Sequence, residues 1–367
     1  MQYSKLTKYI ALLLVGFFSL TKFAWAQESI DTIRAIEKYD KTFDGIGPKV
    51  YILPPPRTLA EILVDRYSEK AHFRDSITRA LELQHLTERF NFTANTAHIQ
   101  YFLLPKPEND EQWEQRIQQQ VDEENHYAVY GLLQSFAEEA LRKGAVDRAL
   151  TLLHSALQAA LQTHELSDIA AIQNNLASIY LYKRDVEQAM LFQQAYYQET
   201  LRQKNVVDQA VALTKIAHIQ AESKDFNTAE NTIIRKVIPM LNRAKAYGRK
   251  VAAWEVLAKI YHLQDKHTEA QWFLIQARDL ALKNNLTADL AEIEYMLAFS
   301  KFAQQNFKVA QQEFLNADKL AKSEDNKLLQ LAIVDRLGQI YMDENQFVEA
   351  QIALDHYLLL RLELFNL

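Results

Sequence analysis

The residues of this chain best equipped for chemistry are its histidines and carboxylates. Ten histidines occur among 367 residues. His218 and Glu222 stand four apart, on one face of a helix, and His262 occupies a nearby face one repeat later, so three donors could approach one metal ion. A zinc site normally shows three or four good donors at tighter spacing, and histidines scattered over separate helices are more simply surface or groove residues. No metal and no cofactor are expected. There is no cysteine, which removes thiol nucleophiles, disulfides and a lipid anchor on cysteine together. Neither a Gly-x-Ser-x-Gly elbow nor a glycine-rich phosphate loop is found. Adjacent carboxylates such as Glu123-Glu124 and Glu138-Glu139 diverge on a helix. Asn91-Phe92-Thr93 and Asn285-Leu286-Thr287 match the glycosylation acceptor pattern, which matters only in a eukaryotic secretory route. The expectation is a binding protein with no catalytic residue. An enzyme would need its active site in residues 27–110, which hold no convergent motif.

The elements that would position these side chains are revealed by a repeat. Around Asn174 to Ala189 an apolar residue precedes a small one, and the pair returns at intervals of 40 or 41 residues: Ala137, Ala177, Ala217, Ala258, Ala298 and Gly338. Twelve residues beyond each stands an alanine, at 149, 189, 229, 270, 310 and 350. Three residues before those alanines come Val146, Val186, Phe226, His267, Phe307 and Phe347, apolar in every repeat but the fourth. Within each copy the apolar positions lie three, four and seven apart, and a short polar break such as Lys183-Arg184-Asp185 restarts the rhythm. Each copy is therefore a pair of antiparallel helices. The units fall at 126–165, 166–205, 206–246, 247–286, 287–326 and 327–367. Pro239 lies inside the second helix of the third unit and should break its ladder there.

One hairpin cannot bury both of its apolar faces, so neighbours must stack into a continuous spine. Leu176-Ala177-x-Ile179-Tyr180 with Ala189, and Leu257-Ala258-x-Ile260-Tyr261 with Ala270, resemble the tetratricopeptide repeat family over residues 126–367. The long period is similar to that of kinesin light chains, and the family's proline between repeats is missing. The resemblance implies an all-α fold, a right-handed helical-hairpin solenoid, preceded here by a small non-repeat segment.

What the resemblance implies about function is a groove lined by the first helix of each unit, holding a protein or peptide. Carried onto this sequence, its positions are Asn174, Ser178 and Tyr182; Thr214, His218 and Glu222; Glu255, Lys259 and His262; then Tyr295, Phe299, Phe302, Asp335, Gln339 and Met342. Asn175 matches an asparagine with which family members hold a peptide backbone. The phenylalanines are either exposed anchors or core of the last units. The lysines and arginine of the family's carboxylate clamp are not found. Two roles fit such a groove: an assembly scaffold, or a peptide-sensing module of an envelope signalling system.

Before the repeats, Lys5 and Lys8 precede the uncharged run 9–20, and Ala24-Trp25-Ala26 supplies small residues for cleavage: the pattern of a secretory signal peptide, residues 1–26. The run is short for a membrane span. The mature chain is expected to be exported, periplasmic or secreted, with no transmembrane segment. Loss of Lys5, Lys8 and Lys22 would take the formal charge from −6 to −9. That acidity, with both signs mixed along every helix, argues against nucleic acid as a partner. Residues 27–110 hold six of the seven prolines. Thr58 to Phe90 reads as one or two helices opening on a capping box, and 97–104 as a strand or short helix. The segment is expected either to shield the open end of the first unit or, ahead of Pro54, to be a disordered leader.

Overall fold

The computed structural model describes residues 56–93, 101–287 and 289–365. The signal-peptide stretch, the leader ahead of Pro54 and residues 97–100 of the 97–104 stretch lie outside the described residues; residues 101 and 102 of that stretch are helical. Contacts divide the chain into two units, 1–62 and 63–367. In the first, the described residues hold the capping box: the Thr58 N–H donates to Glu61 Oε2 at 2.7 Å and the Glu61 N–H to Thr58 Oγ1 at 3.3 Å. Two orphan N–H groups are thereby satisfied where helix α1 (Leu59–Ala71) begins.

The second unit is entirely helical among the described residues. After α2 (Arg74–Glu88) and α3 (Asp110–Asp122) come six hairpins. Their first helices are α4 (His126–Arg142), α6 (Leu166–Tyr182), α8 (Val206–Glu222), α11 (Tyr247–His262), α13 (Leu290–Ala303) and α15 (Lys327–Asp343). The second helices are α5 (Val146–Leu161), α7 (Val186–Arg202), the broken pair α9 (Phe226–Asn231) and α10 (Ile238–Ala244), α12 (His267–Lys283), α14 (Phe307–Ser323) and α16 (Phe347–Phe365). Both alanine columns meet at the crossings: from Ala137 and Ala149 to Ala298 and Ala350, all eleven alanines are 0% exposed. A methyl group is the largest side chain that such a close approach of two backbones admits. Trp113 of α3 stacks on Phe136 at 5.2 Å and starts the spine.

The turns are as regular as the crossings. One residue per turn takes a left-handed backbone: Glu124, Gly144, His164, Arg184, Lys204, Lys224, Lys245, Asp265, Asn285, Gln305, Asp325 and Asn345. After α6, Arg184 N–H donates to Leu181 O at 3.0 Å and Asp185 N–H to Tyr180 O at 2.9 Å, closing off carbonyls that the helix leaves open. The next residue is often Asn or Asp and caps the following helix, as Asp185 Oδ1 does for the Gln188 N–H at 3.1 Å. Pro239 acts as its position predicts. Residues 232–237 widen into a π-helical turn, and α10 begins with Pro239 in its first turn, where its missing N–H leaves no bond unmade.

Residues 63–93 depart from the expectation of a shield over the first unit. They run along the first helices, from the last hairpin back to the first. Tyr67 Oη donates to the Ala350 carbonyl at 2.8 Å, and at the far end Gln134 donates to Thr93 Oγ1 at 3.3 Å. Helix α1 leaves Leu63 and Tyr67 among Ala350, Leu354 and Met342, and α2 leaves Ile77 and Leu81 against Leu331, Tyr295 and Tyr357. Leu83, Leu86 and Phe90 pack on the spine near Tyr130 and Leu176. The last helix keeps Tyr357 and Leu360 inward while Val348, Ile352, Leu359 and Leu362 stay exposed.

Candidate binding groove

Helical periodicity puts residues 134, 174, 214, 255, 295 and 335 at one level of successive first helices, and 138, 178, 218, 259, 299 and 339 one turn further on. The groove these rows form is where residues 67–93 sit. At one end Asp335, 2% exposed, receives Lys70 at 3.0 Å and Arg74 at 2.8 Å. Burial pulls the Lys70 ammonium down to about 8 although Asp335 opposes it, and Lys70 also lies 4.3 Å above the Tyr67 ring and 4.6 Å from that of Tyr357. Burial alone would raise the Asp335 carboxyl, but Lys70 and Arg74 hold it below the usual range.

In the middle, Arg79 donates to the Tyr182 carbonyl at 3.2 Å and lies over its ring at 4.3 Å. Arg184 bridges Glu82, at 2.6 Å, and Glu222, at 2.9 Å. His85 lies 3.4 Å from Glu292, which also takes Lys259 at 2.8 Å. Beside Glu292 is Glu255, 1% exposed, whose nearest cation is Arg89 at 3.9 Å. Burial, aided by the charges of Glu292 and Asp289, pushes the Glu255 carboxyl up to about 8. Glu255 therefore carries the proton of this pair at neutral pH.

At the other end Asn175 grips a main chain. Its Oδ1 accepts from the Asn91 N–H at 2.8 Å, and its Nδ2 donates to the Asn91 carbonyl at 2.7 Å. This is the position where the family resemblance implied an asparagine holding a peptide backbone, and the backbone it holds belongs to this chain. Lys215 donates to the Asn174 carbonyl, to Asn174 Oδ1 and to Ser178 Oγ at 3.2, 2.7 and 2.5 Å. Burial, with Arg89 nearby, pulls its ammonium down to about 7. A cavity of about 200 Å³ remains beside Asn91 and Phe92, lined by Asp168, Tyr196, Glu199 and Asp208 among others.

Of the positions carried over by resemblance, Asn175, Tyr182, Glu255 and Asp335 touch the segment directly. Tyr295 and Met342 share apolar clusters with it, and Glu222 and Lys259 reach it through Arg184 and Glu292. The others turn elsewhere. Thr214 bonds within its own helix, to the Ala210 carbonyl, and Gln339 faces Asp343 at 3.0 Å. Phe299 and Phe302 lie under the Arg336 guanidinium and pack with the core of the last two units. The three metal-donor positions do not converge: His218 pairs with Glu222 at 3.7 Å, whereas His262 bonds Ser300 Oγ at 2.7 Å and faces His267 and Phe299. Among the described residues no group of three or more such donors could hold a metal ion, and no helix is long and apolar enough to cross a membrane. Spacing missed Lys215 and Glu292, whose partners are supplied by neighbouring helices, and it missed the whole face of α1 and α2. One sign of that face is legible: Gly338 stands where five other units have alanine.

No protein-family model matches the sequence, and no curated protein does. Solved structures match in shape. A Rap protein complexed with competence and sporulation factor superposes with a TM-score of 0.51 and 10% identity, over 84% of this chain and 99% of that one. The STAND protein PH0952 from Pyrococcus horikoshii, which has a tetratricopeptide repeat sensor, gives 0.52 and 14%, over 83% of this chain and 48% of that one. The fold is a tetratricopeptide-type solenoid. Aspartyl phosphate phosphatase F from Bacillus subtilis shares it at a TM-score of 0.51 and 12% identity, over 83% of this chain and 76% of that one. In this tetratricopeptide solenoid the first helices form the groove, and residues 67–93 occupy it.

Proposed function

We propose that this chain is an exported interaction scaffold, with no covalent chemistry of its own, whose groove binds another protein or a peptide. The observation that carries the reading is the paired hydrogen bond of Asn175 to a peptide backbone, because a side chain that reads main chain accepts any sequence that can present it. The Rap structure, solved with competence and sporulation factor bound, supports the same use of a similar solenoid. Mixed ionic, aromatic and hydrogen-bonding positions along the groove supply the anchors and polar pairs that recognition of a folded segment needs. A sensory role within an envelope signalling system is the second reading. It is favoured by the occupied groove, because an occupant that must leave gives the solenoid two states.

The test is photo-crosslinking in the native compartment, with a photoreactive phenylalanine analogue placed singly at Tyr182 or His218 in the groove, and at Leu191 or Leu359 outside it. Partner adducts are expected from the groove positions. Adducts from Leu191 or Leu359 alone would overturn the groove as the binding site.

A further inference from the structure

Unit six breaks the alanine column at Gly338, and Tyr67 explains why. An ideal Cβ on Gly338 would lie 2.3 Å from Tyr67 Oη and 2.9 Å from its Cε1, distances that no real Cβ tolerates. The solenoid is therefore cut to seat this one side chain, and the seat is reinforced by the Ala350 carbonyl and by Asp335 on Lys70 and Arg74. Between this seat and the Asn91 main chain at the other end, the segment is held less tightly. Only Ile77 is buried in all of α2; beside the partly buried Leu81, Leu83 and Leu86 the helix is held by ion pairs with Arg184 and Glu292, and just beyond its end Arg89 faces Glu255. Such pairs at a partly wet surface exchange readily for others. One of them is poorly made: Glu255 is buried, its Oε1 has no hydrogen-bond partner, and Arg89 stops 3.9 Å short of Oε2. The occupant thus fits closely at Gly338 and leaves the buried Glu255 carboxyl, which keeps its proton at neutral pH, with one oxygen unbonded and room for a closer cation to ionise it.

We infer that residues 63–91 are a tethered occupant that keeps the groove closed, and that the partner is an amphipathic basic helix which replaces them and sets a cation on Glu255. The inference rests on the groove being the binding site and names the class of partner and how its access is controlled. Acidic groove positions Asp335, Glu292 and Glu255 are met by Lys70 and Arg74, His85 and Arg89 of the occupant, so a replacement needs the same charge pattern on one helix face.

The probe is a fluorescein-labelled synthetic peptide of residues 63–91, titrated against the full chain and against Tyr67→Ala and Gly338→Ala variants, with hydrogen exchange of the same residues followed by mass spectrometry. The wild-type groove is filled and should bind the peptide weakly. Loosening its own occupant should tighten peptide binding about tenfold, because apparent affinity follows the fraction of open groove. Exchange at 63–91 should accelerate while the alanine-column helices stay protected. A peptide with Lys70, Arg74 and Arg89 replaced by glutamate should not compete. Equal peptide affinity in all three proteins, or unchanged exchange at 63–91, would overturn the inference. Tyr67→Ala leaves every solenoid residue in place and so remains informative if Gly338→Ala does not fold. Partner adducts equally strong in wild type and Tyr67→Ala would sink the closure while sparing the groove. Peptide binding to Tyr67→Ala with no partner adduct from any groove position would do the reverse.

Discussion

Asn175 and Asn91 form a closed two-bond ring, side-chain amide against main chain, at 2.7 and 2.8 Å, across 84 residues of sequence. Asn175 is 3% exposed, so its side of the ring is shielded from water, and losing it strands a donor and an acceptor of the partly buried Asn91 backbone. Asn175→Ala is expected to cost about 1–3 kcal/mol in urea unfolding. Asn175→Asp keeps the acceptor but sets a carboxylate oxygen against the Asn91 carbonyl, and should cost as much. Amide exchange at Asn91, followed by NMR or mass spectrometry, should rise in both.

Glu255 makes stability depend on pH. Its carboxyl titrates at about 8 in the fold, raised by burial with Glu292 and Asp289 and opposed by Lys259 and Arg89, against about 4.3 in an unfolded chain. Between those values the folded chain holds a proton that the unfolded chain has lost, so stability present at the acid end fades as pH rises toward 8. Glu255→Gln fixes the neutral form. It should match wild type near the acid end and exceed it by on the order of 5 kcal/mol above pH 8. Parallel unfolding curves for the two proteins across that range would refute the assignment.

Eleven left-handed turn positions carry side chains that such a backbone disfavours. Lys224, at a φ of 64° and exposed, can be replaced without losing a contact. Lys224→Gly should stabilise the protein by about 0.5–1 kcal/mol: relief of a left-handed strain of roughly 1–2 kcal/mol, less the extra freedom glycine has when unfolded. Thermal unfolding at fixed protein concentration would show it.

The alanine column offers a contrasting pair. Ala229 is 0% exposed at a helix crossing, whereas Leu191 is exposed on the outer row. Ala229→Leu should overpack the crossing and cost about 1–3 kcal/mol, while Leu191→Ala should stay within about 0.5 kcal/mol of wild type. Comparable losses in the two would mean that the crossings are looser than the packing implies.

The solenoid was legible because its stacking constraint is local and repeated: the same crossing demands the same small residue, at Ala177 as at Ala310. Pro239 was legible because a missing N–H has one consequence wherever it falls in a helix. The placement of residues 63–93 was not. Helix α2 buries only Ile77, so its periodicity resembles a solvated helix, and its fixing contacts join residues as distant as Arg74 and Asp335, 261 apart. Lys215 and Glu292 read as surface charges because spacing along one helix says nothing of the helix beside it. Groove positions such as Asn175 and Asp335 were placed by the family resemblance. Their partners within the chain could come only from the three-dimensional arrangement.

Tyr67 precedes the carbonyl it docks on by 283 residues. On the ribosome the segment therefore emerges long before its seat, and its contacts are the most non-local among the described residues. Until the sixth hairpin has been made, the growing array has vacant inner helices and an unattached leading arm. Whatever meets the nascent chain before then, whether a chaperone or a transport factor, encounters that unlatched form, and the sixth hairpin completes the lock.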